Sequence, residues 1–346
     1  MPNPDDILKT LRAVKYPGYS RDIVSFGLVK DVAVKEGTVT ILLQLTTTPP
    51  EHVQQIREET ERVLKGVPGI SVVQVDVRSS ASAATGGQNP WTNQNKVPGI
   101  SRIIAIASGK GGVGKSTCSA NLACAFAHRG ARVGLLDCDI YGPSIPLMMG
   151  IRQKPTISPE GKMVPPSNDG VKLMSMGFLL EGDAPVIWRG PMIMKTIQQF
   201  FVSVDWGQLD CLLVDLPPGT GDAQLSLCQT VPLDGGVVVT TPQEASLGVV
   251  RKGIAMFQKV NVPILGIIEN MSYFVTPSGE RFEIFGHGGG RSEAERQGFQ
   301  FLGEIPLYTE IREGGDSGIP VVVSAAEKAP AQAFIKVAEQ IEASLK

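Results

Sequence analysis

Apolar and polar residues follow two different rhythms along the 346-residue chain. Over the first 78 residues the pattern predicts helix, strand, strand, helix, strand. Asp5–Val14 and Glu51–Leu64 carry apolar side chains at helical spacing, whereas Ile23–Val34, Thr38–Thr46 and Ile70–Val77 alternate in the strand manner. Lys35-Glu36-Gly37 marks a turn between the first two strands. Residues 1–78 are therefore expected to form a small α+β domain. Residues 79–100, SSASAATGGQNPWTNQNKVPGI, have almost no periodic apolar pattern and read as a flexible linker. From 101 to 346 the apolar residues come in short unbroken runs: Arg102–Ala107, Arg132–Leu136, Cys211–Val214, Gly236–Thr240, Ile264–Ile268 and Phe301–Leu302. Most are separated by helical or mixed segments. Strands apolar on both faces predict an α/β fold with a doubly wound, mostly parallel sheet, whose function gathers at the carboxyl ends of its strands.

Composition changes this picture little. Hydrophobic residues make up 42% and charged residues 19%, the balance of an ordinary globular chain. A formal charge of −2 supplies no bulk attraction for nucleic acid or an anionic membrane, and no apolar run reaches spanning length. The N-terminal MPNPDDILKT reads as neither secretory signal nor transit peptide, so a cytoplasmic protein is expected. Five cysteines, at 118, 124, 138, 211 and 228, form no Cys-x-x-Cys pair and are expected to be buried and reduced.

The chemistry falls where the strands end. Gly109 to Ser116 fits G-x-x-x-x-G-K-[ST] between the run RIIAIA and a helical segment, Ser116–His128. In such a phosphate loop, here Gly109, Lys110, Gly111, Gly112, Val113, Gly114, Lys115, Ser116 and Thr117, glycines turn backbone N–H groups onto the phosphates. The following helix adds its positive end. Lys115 is expected to reach the β- and γ-phosphates, and the Ser116 hydroxyl to ligate Mg²⁺. Asp137 and Asp139 close one apolar run and Asp215 closes another. An acid at such a strand end is a second anchor for Mg²⁺, often through water, which assigns Asp215 to the metal. Asp139 is placed to orient the attacking water. Singly each acid could cap a helix or turn; beside a phosphate loop they form a candidate site.

The motif GKGGVGKST resembles the deviant Walker A loop of the MinD, ParA and nitrogenase-iron-protein class of ATPases. With DCDIYGPS, WRGPM, DLPPGTGD, TPQEASL, ENMSYF and FGHGGG, residues 100–346 resemble the Mrp (ApbC) family of ATP-dependent iron–sulfur cluster carriers. Residues 1–78, with DIVSFGLV and QLTTTPPEH, resemble the small iron–sulfur-assembly domain often fused in front of that ATPase. The resemblance implies a slow, Mg²⁺-dependent ATPase working as a homodimer. It also implies a 4Fe–4S cluster as cargo, with assembly proteins or apo-protein recipients as partners. It implies that Lys110 reaches across the dimer to the partner's nucleotide, that Asp139 positions water in a first switch, and that Asp215 to Asp222 form a second. Asn270 falls where the family reads adenine, although Asn after a strand is also a common turn residue.

The chain departs from that family where a cluster would sit. Cluster-bearing members place Cys-x-x-Cys after ENMSYF, and here Thr276 and Gly279 stand at those two positions. Neither supplies the soft thiolate an iron–sulfur cluster takes, and TPSGERFEI predicts a tight hairpin. The TTTPPEH stretch likewise lacks the cysteine of its relatives. His287, near Glu280 and Glu283, reads more readily as a loop residue than as a ligand, so no iron–sulfur ligand is identified. Val249 stands where many relatives have Asp. Three readings follow: a cluster carrier, an adaptor that binds no cluster, or a positioning ATPase of the MinD or ParA type. The last needs a membrane-seeking or DNA-binding surface. Residues Ala329–Lys346 instead mix Glu, Gln and Lys on their polar face and predict a helix packed on the domain.

Overall fold

In the N-terminal part, alternation becomes a three-stranded sheet with helices over it. A computed structural model of the chain describes residues 3–15, 22–25, 28–35, 37–45, 50–70, 72–79, 97–140, 142–179, 190–219, 222–276 and 278–345. It divides into two compact units, Met1–Thr92 and Asn93–Lys346. In the first, α1 (Pro4–Leu11) and α2 (Pro50–Lys65) accompany β1 (Val29–Lys35), β2 (Thr38–Leu45) and β3 (Val72–Ser79). β1 pairs antiparallel with β2, and β2 parallel with β3. The Asn3 side chain caps α1 by accepting from Asp6 N–H at 2.9 Å, and Pro4 opens its first turn. Val39, Ile41 and Leu43, one face of β2, are buried with Ile7 and Leu11 of α1 and Ile56 and Leu64 of α2. At about 1.5–3 kcal/mol per buried side chain, this alternation is what fixes the register. The first strand starts at Val29, not Ile23, because the Asp22 carboxylate accepts from Ser25 N–H and Oγ–H at 2.8 and 2.7 Å and closes a turn there.

The second unit opens with β4 (Ile103–Ser108), α3 (Lys115–His128), β5 (Val133–Asp137) and α4 (Ile145–Met148). Four short strands follow: β6 (Thr156–Ile157), β7 (Met163–Val164), β8 (Ser167–Asn168) and β9 (Val171–Ser175). Then come α5 (Gly190–Val202), β10 (Cys211–Asp215), α6 (Asp222–Thr230), β11 (Gly235–Thr240), α7 (Glu244–Lys259) and β12 (Ile264–Val275). The chain ends through β13 (Arg281–Phe282), α8 (Gly289–Gln297), β14 (Phe301–Leu307), α9 (Thr309–Ser317), α10 (Val321–Ser324) and α11 (Ala329–Ser344). Among the described residues the main sheet runs β13-β12-β11-β4-β10-β5-β9-β8, with β14 also on β12. All its pairs are parallel except β12–β13 and β8–β9. One apolar cluster joins the sheet to α3, α10 and α11, and a second joins its other face to α5, α6 and α7. Helices on both faces of a mostly parallel sheet make this the expected doubly wound α/β fold.

Two further expectations need amendment. Residues 80–96 of the expected linker lie outside the described residues, but Ser79 ends β3. Residues 97–100 belong to the second unit: Ile100 is buried and bridges to Leu209, and Ser101 N–H donates to Leu209 O at 2.9 Å. β9 extends the sheet beyond the strand ending at Asp137, a strand the apolar pattern did not predict. The C-terminal helix buries Phe334, Val337, Ala338 and Ile341 in the first cluster, as a packed helix should. No helix among the described residues is long and apolar enough to cross a membrane.

Candidate nucleotide site

The phosphate loop joins β4 to α3, and its glycines are explained by what crowds them. A methyl on Gly109 would lie 2.6 Å from the Val249 carbonyl carbon, so Gly109 lets the loop pass directly against the backbone of α7. Gly114 precedes α3 in the left-handed conformation, φ 77°, and a methyl there would collide with Asn270 Nδ2. Lys110, Gly111, Gly112, Val113, Gly114, Lys115, Ser116 and Thr117 all line a cavity of about 240 Å³, together with Asp139. Gly109 is thus a packing residue at the root of the loop and not one of the cavity wall.

Asp215, at the end of β10, is fully buried and collects three donors. Its Oδ2 accepts from Lys115 Nζ at 2.6 Å and from Ser116 Oγ at 2.7 Å, while Oδ1 accepts from Ser119 Oγ at 2.6 Å. Lys115 is itself only 5% exposed. A buried carboxylate and ammonium hold their charges only when paired and hydrogen-bonded in this way. Asp137, the next strand end, is also fully buried. Burial, and then the charge of Asp215, push its carboxyl up to about 7, against the hydrogen bonds it accepts from Asp139 N–H and Ser175. Asp139 and Lys110 are both half-buried on the cavity wall. The Lys110 carbonyl accepts from Ser108 Oγ at 3.0 Å.

Asn270 makes a contact its sequence context did not predict. It is buried at the bend of β12, just before Met271 with φ 54°, and its Nδ2 donates to the Val113 carbonyl at 2.8 Å. It therefore clamps the phosphate loop and, from the same place, lines a second cavity of about 460 Å³. That cavity shares Gly114, Thr117 and Met148 with the first, and its walls are mainly apolar, including Phe274, Pro306 and Leu307. A polar cradle with a lysine at one end and an apolar slot at the other suits a nucleotide, phosphates to the loop and base to the slot. Ser116 Oγ beside Asp215 is the hard-oxygen pair a small divalent cation takes.

Sequence reading missed Ser119, Ser175 and the 306–316 wall of the slot. Ser119 lies four residues after Lys115 on α3, a spacing that puts both on one face. The wall carried no local signal, because it is built from a strand end and a helix far along the chain. Of the second switch, residues 220 and 221 lie outside the described residues, as do Trp188 and Arg189 of WRGPM. Pro218 reaches the phosphate cavity, and Gly219 N–H donates to Ser108 O at 3.2 Å.

The expected thiolate site is a hairpin, as predicted. Thr276 N–H donates to Glu280 O and Gly279 N–H to Thr276 O, each at 2.9 Å, and β12 pairs antiparallel with β13 across it. His287 pairs its Nδ1 with Glu283 Oε1 at 3.0 Å on the surface. All five cysteines are reduced and buried. Desolvation pushes the thiols of Cys118, Cys124 and Cys228 up to about 12, and those of Cys138 and Cys211 are also raised. Among the described residues no three His, Cys, Asp or Glu side chains gather as a metal centre.

Residues 99–342 match the family described as NUBPL iron-transfer P-loop NTPase, and residues 4–77 the family described as iron–sulfur cluster assembly protein. The chain is 46% identical over 343 residues to the iron–sulfur cluster carrier protein of Synechocystis sp., covering 97% of this chain and 96% of that one. It is 48% identical over 256 residues to the iron–sulfur cluster transfer protein NUBPL of Mus musculus, covering 73% and 80%. Among solved structures, a nucleotide-binding protein from Archaeoglobus fulgidus in complex with ADP superposes with a TM-score of 0.60 at 41% identity, covering 67% of this chain and 91% of that one. MinD of Pyrococcus horikoshii, complexed with Mg-ADP, superposes at 0.53 with 26% identity, covering 70% and 96%. A phosphate loop on a doubly wound sheet, with matches of this extent in both units, shows that the chain belongs to the NUBPL iron-transfer P-loop NTPase family of iron–sulfur cluster carriers.

Proposed function

We propose that this P-loop NTPase hydrolyses ATP with Mg²⁺ as a homodimer, and that the hydrolysis cycle serves delivery of an iron–sulfur cluster, its cargo, to apo-proteins. The observation that carries the nucleotide part is the buried Lys115–Asp215–Ser116 cluster at the floor of the phosphate cavity. The ADP and Mg-ADP named for the two solved relatives support the same part.

The residues divide the work. Ser116 and Asp215 would hold Mg²⁺, which when bound neutralises charge on the phosphate oxygens. Lys115 exchanges the Asp215 carboxylate for the β- and γ-phosphates, and Asp139 orients the attacking water. Lys110, given by the second copy, stabilises charge that develops in transfer and so ties hydrolysis to assembly. Asn270, its Nδ2 committed to the loop, offers its carbonyl oxygen to a base amino group in the slot. The N-terminal unit is the docking module for assembly partners.

A second reading, an adaptor that binds no cluster itself, is favoured by the burial of every cysteine and by the hydroxyl-lined hairpin at Thr276. Lys115→Ala is expected to abolish turnover. Lys110→Ala is expected to keep nucleotide binding yet lose hydrolysis by about 10³-fold or more, the scale of a cation supplied in trans. Mixing the two variants should restore partial activity. Unchanged turnover in Lys115→Ala sinks the site, and failure to complement sinks the dimer mechanism.

A further inference from the structure

Three neighbouring strands end in register on buried polar side chains. Asp215 pairs with Asp137 across β10 and β5, and Asp137 with Ser175 across β5 and β9. All three are fully buried. Ser175 Oγ donates to Asp137 Oδ2 at 2.9 Å and accepts from Gly177 N–H at 2.9 Å, so both its roles are used and its rotor is fixed. The other carboxylate oxygen, Asp137 Oδ1, accepts from the Asp139 N–H at 3.0 Å. Asp137 is thereby held between the end of β9 and the backbone that carries Asp139. The turn after Ser175 also bears on the next part of that segment. A methyl on Gly177 would lie 3.1 Å from Pro143 Cβ, and the flanking Gly142 and Ser144 line the phosphate cavity.

We propose that Ser175 is a positioning residue for hydrolysis: acting through Asp137, its hydroxyl sets the Asp139 turn and with it the place of the Asp139 carboxylate in the phosphate cavity. The proposal rests on Asp139 as the water-orienting residue. Ser175 touches neither phosphate cavity nor apolar slot, so its removal leaves nucleotide contacts alone and acts on geometry. A displacement near 1 Å of a catalytic group lowers rates by about a hundredfold.

The test is ATP hydrolysis and nucleotide binding by the full chain. Ser175→Ala is expected to lower kcat by about ten- to a hundredfold, with KM and affinity for a fluorescent ADP analogue within about twofold of the wild type. Added to Asp137→Asn, it should lower kcat no further, because one residue acts through the other. Wild-type kcat in Ser175→Ala, a parallel loss of nucleotide affinity, or losses that multiply in the double variant would each overturn the proposal. Asp139→Ala separates this failure from that of the reading beneath it. If Asp139→Ala still turns over at the wild-type rate, the water-orienting role itself is wrong. If Asp139→Ala is dead while Ser175→Ala is unaffected, only the role of Ser175 falls.

Discussion

The carboxyl edge of the main sheet and the Thr276–Glu280 hairpin treat polar groups in opposite ways. At the sheet edge, Asp137, Ser175 and Asp215 are fully buried, and each oxygen of each carboxylate accepts a named hydrogen bond. At the hairpin, the Thr276 and Ser278 hydroxyls bond one another at 2.7 Å and Glu280 N–H donates to Thr276 Oγ1 at 3.1 Å, all on an exposed turn. The first arrangement depends on one buried ion pair, Lys115 with Asp215, and on hydrogen bonds that no solvent replaces. The second is satisfied by local bonds that any solvent could replace. The phosphate loop and its acids are therefore built into the folded core, whereas the loop where the family resemblance leads one to expect cluster thiolates holds a self-contained turn. Carriage of a cluster by this chain must draw on something other than paired cysteines in that loop.

The largest effect that would break the comparison is on stability. Asp215→Ala leaves the Lys115 ammonium buried without its partner, and a broken buried pair destabilises by about 3–5 kcal/mol. Denaturant unfolding of the full chain, followed by the transition of the second unit, should show that loss. A change below about 1 kcal/mol would mean that water enters the floor of the cavity and that the edge is no more demanding than the surface.

The next effect is a count of thiols. With desolvation raising all five, a thiol reagent at neutral pH is expected to modify none of them rapidly in the native chain and all five after denaturation. Anaerobic incubation with iron and sulfide, followed by iron counting, then decides between the carrier and the adaptor: no stoichiometric cluster on the separate protein is the outcome the adaptor reading expects. A stable stoichiometric cluster would overturn the adaptor reading, support the carrier, and point to Cys138, Cys228 or His287 as its ligands in another state.

How much of this was legible beforehand depends on whether the determinant is local. The loop Gly109–Thr117, the strand ends at Asp137 and Asp215 and the hairpin at Thr276 are contiguous motifs, and each lies where its own residues direct it. β9 escaped notice because VKLMS places Lys172 inside a short apolar run that follows a stretch rich in Pro and Gly. With it went Ser175, whose meaning comes from register with Asp137, 38 residues away. Asn270 was legible as a candidate at a strand end but not as the clamp on Val113, a contact across 157 residues. The apolar slot depends on Pro306 to Asp316 returning to the loop, which no local pattern encodes.

The smallest effect tests whether the hairpin could have been a thiolate site at all. Gly279 holds φ 88° with open space where a methyl would stand, so a side chain meets no clash and only the left-handed backbone resists it. Gly279→Ala should therefore cost about 1–2 kcal/mol. Gly279→Cys should carry the same penalty, and Thr276→Cys also removes the oxygen that Glu280 N–H bonds. The double variant, which introduces a Cys-x-x-Cys, is expected to be slightly less stable than the wild type and to gain iron on anaerobic reconstitution, because both thiols stand on an exposed turn and not in the core. The gain should appear with ATP turnover unchanged, since the phosphate loop and the strand-end acids are untouched. If the double variant takes up no iron, exposure is not what separates the two regions, and the turn itself must hold positions 276 and 279 in a geometry that two sulfurs cannot use.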